Sequence, residues 1–261
     1  MRCLAVTLAA FTFACASNVR VLDPLPSEPA IAALNQTIPV DIYTPHTFRS
    51  REGIDIPYRL LRPAVPSRTL LVIFHGSGAI GTDNRAQIGG MARSWATGAM
   101  RRDYPAYVLV PQMPARSANY EADERVGQRS FGTPTLEAAL ELIEQLRTTE
   151  HIDRVYAIGF SMGGSSVWNT LVLKPGLLAK GVVIAGVPNP QALPLLGDTR
   201  LLLVHGDADT ENPFDAAWAT YHLAPRRLEF WRYRGLGHDV PAQLLNTTAL
   251  AEWLFTNRSD L

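Results

Sequence analysis

The run Arg154-Val155-Tyr156-Ala157-Ile158-Gly159-Phe160-Ser161-Met162-Gly163-Gly164 decides how the chain is read. Its apolar first half suits a strand buried on both faces, and it passes through Gly-x-Ser-x-Gly into a stretch of helical patterning from about Met162 to Leu173. A strand turning this sharply into a helix holds its central residue in a strained backbone and projects that side chain above the sheet. Here the projecting group is the Ser161 hydroxyl. Gly159 and Gly163 fit such a turn because side chains there would collide inside it. A plain glycine-rich turn is the competing reading, and the flanking strand and helix patterns weigh against it.

Outward from this run, the chain repeats short apolar runs separated by longer mixed segments. Leu70 to Phe74, Tyr107 to Val110, Val155 to Phe160, Gly181 to Ala185, Leu201 to Val204 and Leu228 to Tyr233 read as buried strands. Helical spacing is clearest from Pro134 to Leu146, with further helices over Met162 to Leu173, Pro213 to Leu223 and Pro241 to Phe255. Strands alternating with helices predict an α/β fold, a mostly parallel central sheet with helices on both faces. Before it, His46 to Pro63 alternates around Arg51-Glu52-Gly53 and predicts an antiparallel hairpin. The 261 residues, 47% of them hydrophobic, suffice for one domain with a substantial core, expected over residues 46–261.

The charge balance excludes some partners. Lys and Arg number 24 against 24 Asp and Glu, and only 18% of residues are charged, so no excess positive charge exists to bind nucleic acid or an anionic membrane. The first residues carry a different signal. Arg2, an apolar stretch and small residues at its end make residues 1–16 a signal peptide, too short to span a bilayer. Two processing readings stay open, cleavage after Ala14-Cys15-Ala16 or lipoprotein processing before Cys15, and the second is preferred. It implies an exported protein of a bacterial cell envelope, on the periplasmic face and tethered to a membrane through lipidated Cys15, whereas ordinary cleavage leaves a periplasmic or secreted protein. With Cys3 removed by either route, no internal disulfide is expected. Residues 17–45 are proline-rich without sustained period and predict an extended spacer.

A serine hydroxyl is a poor nucleophile at neutral pH. It needs an imidazole to take its proton and a carboxylate to orient that imidazole. Downstream, Leu201-Leu202-Leu203-Val204-His205-Gly206-Asp207-Ala208-Asp209 is a buried strand ending in two carboxylates, and Arg234-Gly235-Leu236-Gly237-His238-Asp239 follows the next strand with a glycine-flanked histidine. Catalytic groups of open α/β sheets gather beyond the carboxyl ends of strands, where all these candidates fall. Spacing alone does not separate Asp207 from Asp209. Asp239 reads as a solvated or capping residue, and His46, His151, His205 and His222 as non-catalytic. A tetrahedral intermediate also needs backbone N–H donors, each worth about 3 kcal/mol. Met162, directly after Ser161, is one candidate; Ser77, in His75-Gly76-Ser77-Gly78 after the Leu70 to Phe74 strand, is the other. The sequence contains no H-E-x-x-H, no Cys/His cluster and no Gly-x-x-x-x-Gly-Lys-Ser/Thr phosphate loop, and neither a metal nor a nucleotide cofactor is expected.

Taken together, His75-Gly76-Ser77-Gly78-Ala79-Ile80-Gly81-Thr82-Asp83-Asn84, Val110-Pro111-Gln112, the Ser161 turn, His205-Gly206-Asp207-Ala208-Asp209 and Gly237-His238 resemble the phospholipase/carboxylesterase and dienelactone-hydrolase branch of the α/β-hydrolases. The poly(hydroxyalkanoate)-depolymerase-like esterases and the peptidases of that superfamily are similar. The resemblance spans roughly His46 to Arg258 and implies an α/β-hydrolase fold. It also implies that the acid is Asp209, because in those families it follows His-Gly after two intervening residues. Asn212-Pro213 departs from the family, which usually has Val before that proline.

The expectation is a serine hydrolase that cleaves carboxylic esters through an acyl-Ser161 intermediate, with a Ser161-Asp209-His238 triad and Ser77 and Met162 as oxyanion donors. The only notable insertion is Met113 to Arg129, so no large lid is expected, and short-chain or aryl esters of small molecules are the anticipated substrates. Two alternatives remain, a peptidase or amidase on the same triad and a non-catalytic envelope binding protein on this scaffold. Oligomeric state is not legible in the sequence.

Overall fold

The computed structural model describes residues 18–25, 28–245 and 247–256. The strands are β1 (Val19–Leu22), β2 (Thr44–Arg49), β3 (Asp55–Leu61), β4 (Thr69–Phe74), β5 (Tyr107–Pro111), β6 (Ala118–Asp123), β7 (Gly127–Gly132), β8 (Arg154–Phe160), β9 (Lys180–Ile184), β10 (Arg200–Gly206) and β11 (Leu228–Tyr233). The helices are α1 (Glu28–Thr37), α2 (Gly90–Trp95), α3 (Gly98–Asp103), α4 (Pro134–Thr149), α5 (Met162–Leu173), α6 (Phe214–Leu223), α7 (Pro241–Leu244) and α8 (Ala249–Phe255).

Nine strands form one sheet in the order β1-β11-β10-β9-β8-β4-β5-β3-β2, and β6 pairs with β7 in a separate hairpin. Only β3 runs against its neighbours: it is antiparallel to both β2 and β5, while every other adjacent pair is parallel. The apolar runs of the central strands are continuous because both faces are covered. Leu70, Val72, Phe74, Val155, Ala157, Leu201 and Leu203 pack into one core with Leu136, Leu140, Val167 and Tyr221 of α4, α5 and α6. Leu71, Ile73, Tyr156, Ile158, Leu202 and Val204 point the other way, into a core with Trp95, Leu244 and Trp253 of α2, α7 and α8.

Register brings the strand ends level. Phe74 pairs with Gly159, Phe160 with Ile184, and Gly206 with Tyr233. The loops after β4, β8, β9, β10 and β11 therefore leave the sheet along one rim.

Two expectations change. Residues 17–45 were expected as a spacer, yet β1 extends the sheet beside β11 and α1 follows it, so the folded unit reaches back at least to residue 18. Backbone pairing supplied by a distant strand does not show as local hydrophobic period. The single helix expected over Pro241 to Phe255 is broken between α7 and α8. There Thr247 Oγ1 accepts the Ala249 N–H at 3.1 Å, a local bond that competes with helical hydrogen bonding. The insertion from Met113 to Arg129 lies largely in the β6–β7 hairpin, which packs on α5. Helices α2 and α3, only six residues each and both beginning at glycine, carry too little periodicity to be recognised. The signal segment expected over residues 1–16 lies outside the described residues.

Candidate active site

Ser161 stands between β8 and α5 with φ 55° and ψ −118°, a backbone region that costs about 1–3 kcal/mol for a residue with a side chain. Its surroundings hold it there. The Ser161 N–H donates to the Ile184 carbonyl at 2.9 Å, and its carbonyl accepts the Ser165 N–H at 3.1 Å. A Cβ at Gly159 would lie 2.0 Å from the Gly163 carbonyl oxygen, and one at Gly163 would lie 2.2 Å from the Phe74 carbonyl oxygen. Glycine at both positions is thus a requirement of close backbone approach, and it lets the start of α5 press against the end of β4. Among the described residues the Ser161 hydroxyl has no hydrogen-bond partner.

The loops after β10 and β11 bring Asp209 and His238 together. His238 Nδ1 lies 2.7 Å from Asp209 Oδ2, and since a carboxylate only accepts, Nδ1 carries the proton and Nε2 is left with the lone pair. The imidazole also packs at a centroid distance of 5.0 Å from Phe160, the residue before Ser161. No hydrogen bond joins Ser161 to His238 among the described residues. Apo sites commonly leave this contact open until substrate binds. Burial disfavours the charged forms of both partners, yet their mutual hydrogen bond and charge prevail: His238 is lifted above 6.5 and Asp209 is held far below the usual carboxylate range, with His205 and the Asn212 N–H assisting.

Asp207 serves elsewhere. Its Oδ2 accepts Arg232 Nε at 2.8 Å and its Oδ1 accepts the Gly235 N–H at 2.6 Å, so it ties its own loop to the one that carries His238. Asn212, the departure from the family pattern, donates Nδ2–H to the Ala185 carbonyl at 2.7 Å and links the acid loop to the end of β9.

Met162 is the first residue of α5, and its N–H has no acceptor within the helix. Ser77 opens a short 3-10 turn, Ser77–Ala79, with its side chain exposed. The adjacent Gly76 lies close enough to the turn that a Cβ on it would be 3.5 Å from Ser161 Cβ. Two residues not singled out from sequence hold this loop. Met113 N–H donates to His75 Nε2 at 2.9 Å, which leaves the proton on Nδ1 to bond the Gly76 carbonyl at 2.7 Å. Burial outweighs that carbonyl bond and lowers the His75 pKa, in keeping with a neutral ring. Gln112, wholly buried, donates Nε2–H to Asp83 at 2.8 Å and accepts the Asn84 N–H at 2.6 Å. Both act through loop contacts far apart in sequence; the only sequence trace was the motif to which they belong.

Beside this loop is a cavity of about 400 Å³, lined chiefly by Phe74, Gly76, Met91, Phe160, Ile184 and Leu245, with the exposed Gly89 and Asp239 at its rim. Its size is that of a small-molecule site. Among the described residues no group of His, Cys, Asp and Glu could hold a metal, and no helix is long and apolar enough to cross a membrane.

No family model matches the chain. NocK of Nocardia uniformis subsp. tsuyamanensis, named as a candidate esterase, is 27% identical over 231 residues, which are 81% of this chain and 64% of that protein. The crystal structure of a thermostable esterase superposes with a TM-score of 0.72 at 26% identity, covering 83% of this chain and 63% of that one. The chain therefore spans somewhat less than two thirds of the length of each. The acylaminoacyl peptidase of Pyrococcus horikoshii shares the fold at a TM-score of 0.58 and 17% identity, over 82% of this chain and 41% of that one. A serine at a strained strand-to-helix turn in a mostly parallel sheet, with these likenesses, shows that the chain has the α/β-hydrolase fold, as the resemblance in its motifs implies.

Proposed function

We propose that the protein is a serine hydrolase of carboxylic esters. The observation that carries this reading is the 2.7 Å bond between His238 Nδ1 and Asp209 beside the strained Ser161 turn. Ser161 Oγ attacks the ester carbonyl carbon while His238 Nε2 takes the hydroxyl proton, and Asp209 stabilises the imidazolium. The N–H groups of Met162 and Ser77 receive the negative oxygen of the tetrahedral intermediate. As the intermediate collapses, the C–O bond to the alcohol breaks and His238 returns the proton to the departing oxygen. Water then enters by the same route, and the acid leaves as Ser161 regains its proton.

The largely apolar cavity beside the oxyanion loop favours an apolar acyl or aryl group over a charged one, because a charge there would lose hydration without a partner. Small aryl and short-chain esters fit this reading. The leader is read in the same way: an exported protein, anchored in a cell envelope by lipid on Cys15. Mass analysis of the native N-terminus tests that part.

Fluorophosphonate labelling with intact-mass analysis tests the chemistry. One adduct on the wild type and none on Ser161→Ala is expected, with hydrolysis of p-nitrophenyl acetate and butyrate lost in the variant by at least about 10³-fold. Preferential cleavage of aminoacyl anilides would instead make it an amidase, and no labelling at all would leave a binding scaffold.

A further inference from the structure

Asp209 carries more partners than a triad acid needs. Its side chain is wholly buried, and Oδ2 faces two histidines: His238 Nδ1 at 2.7 Å and His205 Nε2 at 3.2 Å. Oδ1 accepts the N–H groups of Glu211 at 2.9 Å and Asn212 at 3.1 Å. His205 is the penultimate residue of β10, four residues before Asp209, and only 1% of its surface is exposed. The same Nε2 lies 3.0 Å from the Asn212 carbonyl oxygen. Both groups facing Nε2 are acceptors, so this nitrogen must carry the proton. The ring is further held edge-on to Phe214 at a centroid distance of 5.9 Å.

We infer that His205 is a positioning residue for the Asp209–His238 pair: its Nε2–H, shared between Asp209 Oδ2 and the Asn212 carbonyl, locks the carboxylate in the orientation that receives His238 and draws off part of its charge. A carboxylate bonded only by His238 and the two backbone N–H groups could rotate about its Cβ–Cγ bond. The His205 bond to the same oxygen opposes that rotation. It also competes with His238 for the same oxygen, so it tempers how strongly the carboxylate holds a proton on His238. Other ionisable groups bearing on His238 are Glu211, whose Oε2 is 3.9 Å from Nε2, and the neighbouring Asp239. Both are exposed, and neither touches His205.

The effect on turnover rests on the proposed triad; the bond itself does not, and two measurements separate them. In nitrogen-resolved NMR of the wild-type histidines, His205 should carry its proton on Nε2, and a proton on Nδ1 instead overturns the inference. In His205→Leu, the His238 titration midpoint should move up by roughly half a pH unit, because its carboxylate partner loses a competing donor. The acid limb of kcat/KM should follow, and kcat should fall about tenfold with KM little changed. His205→Gln, which keeps an N–H at similar reach, should restore both. A folded Leu variant with an unmoved His238 midpoint overturns the inference. If the Leu variant does not fold, the wild-type tautomer and the Gln variant's midpoint still decide it. Should the wild type hydrolyse no ester and take no label, the esterase reading falls, while the NMR measurements still decide whether His205 holds Asp209.

Discussion

At His238, burial opposes the imidazolium, while the bond to Asp209 and the charges of Asp209, Glu211 and Asp239 favour it, and the pKa ends above 6.5. A general base must be neutral to accept a proton. Ester hydrolysis should therefore rise with pH along a limb centred above the ordinary imidazole value, and a pH–rate profile with its limb at or below that value would remove His238 from the role. Stability runs the other way: the contribution of the protonated pair is complete below the unfolded-state pKa of histidine and is lost as pH rises through the folded-state value. Gly159 permits an equally sharp expectation. With a Cβ 2.0 Å from a backbone oxygen that cannot swing aside, Gly159→Ala should lower stability by more than about 3 kcal/mol, read as a shift in the urea midpoint. Glycine at such a turn is legible in sequence because the steric demand lies between near neighbours. Spacing does not separate the tasks of Asp207 and Asp209, which only the family resemblance told apart, since two carboxylates two residues apart differ in what distant loops place beside them: Arg232 and Gly235 for one, His205 and His238 for the other.

Among the elements, the six apolar runs read from sequence all became strands, because residues buried on both faces of a sheet must be apolar without interruption. The edges were less visible. β1 shows an intermediate-exposed-exposed-intermediate pattern and gains its place by parallel pairing with β11, where Val19 stands opposite Phe230 and Leu22 opposite Tyr233. It covers the edge of the strand that leads to His238. Deleting residues 18–22 should cost roughly 1–3 kcal/mol and leave the β11 edge open to pairing with other molecules. A lowered urea midpoint together with concentration-dependent light scattering would show this; an unchanged midpoint and a monodisperse truncated protein would make β1 an ornament of the fold.

Over the whole molecule, the parallel order β11-β10-β9-β8-β4 carries the loops of His238, Asp209, Ser161 and Ser77 to one rim, and it leaves the cavity between that rim and α2 and α7. Gly89 lies at the edge of the cavity with an ordinary backbone, φ −85°, and a Cβ added there meets nothing within 4 Å. Gly89→Leu should accordingly keep the fold and acetyl-ester hydrolysis while reducing kcat/KM for octanoyl relative to acetyl esters by roughly tenfold. A chain-length profile identical to wild type would take the cavity out of substrate binding. The amino-acid sequence by itself determined the alternation of strands and helices, the glycine-flanked serine turn and the chain order of the candidate serine, acids and histidine, since burial period and close-turn sterics are relations between near neighbours. Only the tertiary structure decided that His205 shares the carboxylate that bonds His238, that residues 19–22 pair with β11, and that a cavity opens beside the Ser77 loop. Those features are contacts between segments that meet through sheet order and register, and such contacts leave no periodic trace along the chain.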